Sequence, residues 1–199
     1  MAAAVSGIGA LAFSVWVLVE GALRPGYHPL RHPVSLMSLG PHGWMNVAAI
    51  ALMALTLLCA AVLLRRGLPA QGPGRTAWVW MVVAADAFGL LAIFPIDPGL
   101  DYPPDVAPRR TIPGLIHGLA GTIAFIALAV SAFASARRFA ADSYGGWARI
   151  GRWLGAVILL GYLAAGTLTG LDQAGVVTSA PGGLAQRIAL AAAVRGSFW

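Results

Sequence analysis

Arg24-Pro-Gly-Tyr-His-Pro-Leu-Arg-His-Pro-Val-Ser-Leu-Met-Ser-Leu-Gly40 lies between two hydrophobic runs, 2–22 and 44–64, and how it is read decides the fold. Each flanking run has roughly 20 residues, the length at which a helix crosses a bilayer core of about 30 Å. A connector between two such helices needs only a turn and a few polar groups. This one carries two arginines, two histidines and two serines on a backbone stiffened by three prolines. Loops of this length without secondary structure are uncommon unless they have a function or are disordered. Tyr27, Leu30, Val34 and Leu36 make it too apolar for disorder. It reads as a built segment on a membrane bundle.

The rest of the chain agrees. Of its 199 residues 59% are hydrophobic and 10% charged, against about 25% charged in a soluble domain. Further apolar runs at 76–95, 113–136 and 150–171 each match one membrane crossing. A sixth, 183–199, is interrupted by Gln186, Arg187 and Arg195. The sequence therefore predicts one all-α integral membrane domain of six transmembrane helices. The first run has no basic residue ahead of it, which marks a retained helix rather than a cleaved signal. The lone Cys59 sits in an apolar run and allows no internal disulfide.

All 13 basic residues are arginines, and they set the orientation. Arg65, Arg66, Arg75, Arg137, Arg138, Arg149, Arg152 and Arg195 fall on one side. Arg24, Arg31, Arg109, Arg110 and Arg187 fall on the other. Eight against five places both termini in the cytoplasm of a plasma-membrane protein. The net charge of +6 thus has a topological explanation, and nucleic acid is not expected as a partner. Glu20, Asp97, Asp101, Asp105 and Asp172 join the five outer arginines, so the outer face is charged but balanced. That predicts a polar extracytoplasmic cap.

Several residues suggest chemistry. His28 and His32 are four apart, yet Pro29 and Pro33 push both out of the helical region. With His117 and Asp97 they would suit zinc; the alternative is that they hold the loop by bonding backbone carbonyls. Asp86 lies near the middle of the third run, where an ionised carboxylate is costly. It would face the bundle interior, on one stripe with Asp97 or hydrogen-bonded to Asn46, Thr56 or Thr122. Glu20 and Arg24 are placed for an i,i+4 ion pair that fixes the exit of the first helix. Gly151, Gly155, Gly161, Gly166 and Gly170 in the fifth run favour close helix packing within the chain. No phosphate loop, dinucleotide fingerprint, nucleophile elbow or Cys-x-x-Cys is present in the sequence.

These segments also resemble a known family, the multi-pass membrane proteins catalogued as domain of unknown function 998. The resemblance rests on Arg24–Gly40 as quoted, Phe94-Pro-Ile-Asp-Pro98, Gly114-Leu-Ile-His117 and Gly183-Leu-Ala-Gln-Arg187. It covers nearly the whole chain and implies the same helix count; it implies no activity. The chain departs from the family pattern at His28, where an acid is common, and at Pro113, where a polar residue or histidine often stands. Both departures weigh against a metal site.

Three functions are compatible with these residues, and whether the chain is an enzyme stays open among them. In the first, the outer cap binds a small molecule, a lipid headgroup or a membrane partner through Arg24, Tyr27, Arg31, His32, Ser35, Asp97, His117 and Arg187. Its arginines would take an anionic group by bidentate hydrogen bonds, and no cofactor is needed. In the second, His32, Asp97 and His117 hold zinc in an intramembrane hydrolase acting on a lipid ester or amide. In the third, Asp86 serves a small proton- or ion-coupled transporter. The bilayer is a partner in all three, and the oligomeric state is not legible in the sequence.

Overall fold

Runs of Ala, Leu, Val and Met with proline confined to first turns favour helix, and in hydrocarbon a helix satisfies its own backbone polar groups. The computed structural model describes residues 2–68 and 70–196, which form six α-helices. They are α1 (Ala2–Leu23), α2 (Gly43–Gly67), α3 (Gly72–Ile93), α4 (Ile112–Ala141), α5 (Gly145–Gln173) and α6 (Gly182–Gly196). Four of these, α2 to α5, are long and apolar enough to cross a membrane; α1 is apolar over Gly7–Leu23 and α6 has 15 residues. The chain is a helical protein of membrane type.

The ends of the helices differ from the hydrophobic runs for local reasons. α3 starts four residues early and stops at Ile93, because Phe94 precedes Pro95 and turns extended (φ −97°, ψ 119°). α4 begins behind Thr111, whose hydroxyl accepts the Gly114 N–H at 3.1 Å. It runs on to Ala141, closed by an i,i+4 ion pair between Arg138 and Asp142. α5 begins at Gly145, five residues before its apolar run. Of the expected sixth span, 197–199 lie outside the described residues. The segment 24–42 contains a 3-10 turn, Val34–Ser38, that its sequence did not announce.

Each helix packs on the next, and α6 returns to α1, so the six form a ring. Glycines set the closeness of α5: Gly151 meets Ala136, Gly155 meets Phe133 and Gly161 meets Ala189. Ser131 of α4 donates to the Ala77 carbonyl of α3 at 2.8 Å. α2 ends and α3 begins at the same end of the ring as the short joint 142–144. The long segments 24–42 and 94–111 bond each other at the opposite end, and 174–181 is tied to them through Asp172 of α5, which takes both Arg31 and the Ala180 N–H.

Asp86 does not face the interior. Met81, Ala84, Ala85, Phe88 and Leu91 form the inward stripe of α3, which leaves Asp86 exposed on the outside of the ring. Its expected partners are engaged elsewhere. Asn46 donates to the Val34 carbonyl and Ser38 Oγ, Thr56 to the Leu52 carbonyl, and Thr122 bonds Gly118 and Tyr162. Asp97 lies beyond the end of α3, so no helical stripe joins the two acids. An ion path through the bundle along Asp86 has no geometric basis here.

Candidate functional site

Most of the polar residues of 24–42 are spent on holding that segment in place. Arg24 pairs with Glu20 (Nε to Oε1, 2.8 Å) and donates to the carbonyls of Met37, Leu39 and His42. It therefore clamps the C-terminal end of the 3-10 turn and the residues that follow it, more than the terminal ion pair expected of it. Tyr27 shares its hydroxyl proton between the carbonyls of His32 (2.9 Å) and Pro33 (3.1 Å). Arg187 reaches from α6 to the Tyr27 hydroxyl at 2.7 Å and to the carbonyls of Pro29, His32 and Gly183. Its guanidinium also lies 5.6 Å from the Tyr27 ring centre.

The first turn of α6 completes the clamp. Its free N–H groups donate to the carbonyls of Arg31 (from Gly183, 3.1 Å) and Leu30 (from Leu184, 2.9 Å). A Cβ at Gly183 would strike the carbonyls of Pro29 and His32, so only glycine admits this approach. Gln186 Oε1 accepts the Val34 N–H at 2.7 Å. The Gly183-Leu-Ala-Gln-Arg187 motif is thus a receptor for the first loop.

His32 is 1% exposed and fully bonded. Nδ1 accepts the His28 backbone N–H at 3.0 Å, so Nε2 carries the proton and donates to the Leu100 carbonyl at 3.0 Å. Burial, opposed by that bond to Leu100, holds its pKa below the ordinary 6.5. Arg31 ties three segments: two parallel bonds to Asp172 (2.8 and 3.0 Å) and one to Asp101 (3.0 Å). Asp172 also accepts the Ala180 N–H.

Asp97 and His117 stand apart from that cluster. Asp97 accepts the Thr111 N–H and hydroxyl, both at 2.7 Å. Burial opposes its ionisation, but these two bonds and the attraction of Arg109 outweigh it and hold the carboxyl below its usual range. Gly114 is close-packed against this carboxylate, where a Cβ would not fit. His117 Nδ1 donates to the Phe94 carbonyl at 2.7 Å. Among the described residues no three His, Cys, Asp or Glu gather as a metal would require. His32, Asp97 and His117, expected as a zinc set, each serve a different partner and do not gather into one metal site.

Inside the ring is a cavity of about 290 Å³ that all six helices line. Pro33, Val34 and Ser35 also line it, at the loop-bearing end. Phe13, Ile50, Phe88, Leu91, Phe125 and Leu190 make most of its wall apolar. His117 lies in this wall, 3% exposed, with Nε2 buried and without a partner among the described residues. The Thr169 hydroxyl, also in the wall, is buried and equally unpartnered. Buried polar atoms without partners are rare and each calls for an explanation.

Beside the cavity is a polar basin of about 730 Å³ lined by Arg31, Asp97, Asp101, Arg109, Arg110 and Asp172, among others. The two spaces share Pro33, Ile96, Gly118, Thr169 and Gln173. Arg109 and Arg110 are exposed and make no hydrogen bond or ion pair among the described residues. Of the eight residues singled out in sequence, then, Ser35 and His117 line the cavity, Arg31 and Asp97 line the basin, and Arg24, Tyr27, His32 and Arg187 hold the loop. Sequence reading missed Thr169, Gln173 and Tyr162. A pattern was there to find: Tyr162, Ala165, Gly166, Thr169, Gly170 and Gln173 repeat at helical spacing and form one small, polar face of α5.

Fold and site together define a helical membrane protein with an internal, largely apolar chamber beside a charged basin. The chain belongs to the family described as Protein of unknown function (DUF998), whose model matches residues 7–195. All four motifs that carried the resemblance lie at the loop-bearing end of the ring. Comparison with curated proteins and with solved structures gives no match.

Proposed function

We propose that this protein crosses the plasma membrane six times with both termini in the cytoplasm, and that its loop-bearing end is an extracytoplasmic polar cap that binds the anionic group of a small molecule or lipid. The arginine count on the two sides supports the orientation. The carrying observation for binding is that Arg109 and Arg110 line a basin and make no hydrogen bond or ion pair among the described residues, Arg109 feeling only the longer-range attraction of Asp97. Arg24, Arg31 and Arg187, by contrast, are committed to internal bonds. Guanidinium groups recognise phosphate and carboxylate by paired hydrogen bonds. Arg109 and Arg110 therefore replace Arg24, Arg31 and Arg187 as the proposed anion-contacting residues.

A ligand that binds only the folded state raises its melting temperature. Inorganic phosphate at millimolar concentration is expected to raise Tm of the detergent-purified protein by several degrees. The gain shrinks with added sodium chloride, because exposed charges are screened. The Arg109→Ala, Arg110→Ala variant is expected to show no gain. Equal gains in wild type and variant would remove the proposal.

A further inference from the structure

Three observations beside that basin concern the bundle rather than the loops. The first is the pair of buried polar atoms without partners among the described residues, His117 Nε2 and Thr169 Oγ1, on two residues of a largely apolar chamber. Because Nδ1 gives its proton to the Phe94 carbonyl, the neutral imidazole presents Nε2 as an acceptor. The chamber thus lacks a hydrogen-bond donor at that depth.

The second is an opening between α4 and α5. Gly118, Gly166 and Gly170 are exposed, and a Cβ added at any of them would meet nothing within 4 Å. Gly151, Gly155 and Gly161, farther along α5, are in tight contact with α4 or α6. The two helices meet again at Tyr162, which stacks on Phe125 with ring centres 4.4 Å apart and bonds Thr122 at 2.9 Å. Between that contact and the loops lies a slot walled by glycine, on the lateral surface of a membrane-type bundle. The third is size: about 290 Å³ is at the low end for small-molecule sites. It suits one chain and not two.

We infer that the chamber seats the head-proximal part of a single alkyl chain, belonging to an anionic amphiphile that enters from the bilayer between α4 and α5. Its anionic head lies in the basin at Arg109 and Arg110, and a hydroxyl or amide N–H just below the head donates to His117 Nε2. The inference rests on the proposed anion site and adds the ligand class: a one-chain lipid with a hydrogen-bond donor beside its head. A free anion uses the basin alone, and a neutral hydrocarbon lacks the donor that the chamber calls for. The chain beyond the chamber leaves through the slot into hydrocarbon, so its length is not restricted.

The test uses the whole protein in phosphatidylcholine nanodiscs and an alkyl phosphate bearing a 2-hydroxyl and a chain diazirine. Photolysis followed by peptide mapping is expected to label the inner faces of α4 and α5, around 117–125 and 162–173. Gly166→Phe fills the slot and is expected to cut that labelling at least fivefold while the Tm gain from inorganic phosphate persists, which shows that the variant is folded. Removal of the probe's hydroxyl is expected to cut it about twofold. Labelling confined to peptides outside those windows, such as at the exposed Leu115, or unchanged in Gly166→Phe, overturns the chain site and leaves the anion site standing. Loss of the phosphate effect as the sole property of the Arg109→Ala, Arg110→Ala variant supports the anion site. Labelling and phosphate gain both unaffected in that variant overturn the anion site and this inference with it.

Discussion

The first loop and the α4–α5 slot, neighbours around one chamber, treat their polar groups in opposite ways. In the loop most donors have an acceptor: Arg24, Tyr27, Arg31 and His32 are bonded to named carbonyls or carboxylates. Arg187 spends both terminal nitrogens on the loop, although its buried Nε has no partner among the described residues. Around the slot, among the described residues, His117 Nε2 and the Thr169 hydroxyl lack partners, Arg109 and Arg110 make no hydrogen bond or ion pair, and glycines face open space. The residues most conspicuous in the sequence turn out to be the ones already satisfied. A ligand is best sought where the accounting of donors and acceptors is incomplete.

That contrast makes loop substitutions costly and slot substitutions cheap. The largest effect is expected for Arg31→Met, which strips Asp172 (side chain 3% exposed) of its bidentate partner. Leaving a buried carboxylate unpaired costs about 3 kcal/mol, visible as a large drop in Tm. A drop no larger than that of an exposed control such as Arg66→Ala would break the contrast. Gly183→Ala comes next. Its Cβ meets the backbone carbonyls of Pro29 and His32, which cannot rotate away, and overpacking of this kind costs about 2 kcal/mol.

Acid is expected to weaken the loop through His32. Its folded pKa lies below 6.5, so the native state favours the neutral ring and the unfolded chain takes up the proton first. The stabilisation is full above the unfolded value and is lost as pH falls through it toward the folded one. Tm measured from about pH 7 down to about pH 5 should decline, and the slope should flatten in His32→Asn. Parallel slopes would assign the decline to other groups.

Thr169→Val should run the other way. Removing a buried hydroxyl without a partner stabilises the empty protein by up to about 1 kcal/mol, and a loss of stability would show that the hydroxyl is satisfied after all. Smallest of all is the change in Tm expected for the Arg109→Ala, Arg110→Ala pair in the absence of anions, because exposed and unpaired arginines contribute little to the fold. A substantial drop would mean that they are tied into the cap.

Much of the fold was legible because hydrophobic runs of bilayer length leave few alternatives. The helix ends followed from local chemistry: Pro95 stops α3 and Thr111 starts α4. Asp86 was misread because a mid-span acid suggests an inward face, whereas Met81, Ala84, Ala85, Phe88 and Leu91 had already fixed which face is inward. Polar spacing in the loops was legible as density but not as pairing. Arg31 and Asp172 are 141 residues apart, and Arg187 and Pro29 are 158 apart.

By itself the sequence determined that this is an all-helical membrane-type chain, where its helices lie and which end concentrates polar chemistry. Hydropathy and turn chemistry are local, and local properties can be read along a line. The ring alone decided which arginines are spent and which are free, and which glycines pack helices and which border a slot. It also decided that His117 and Thr169 line one chamber, apart from His32 in the loop. Those outcomes depend on hydrogen-bond partners and contact distances between distant segments, which packing in three dimensions sets.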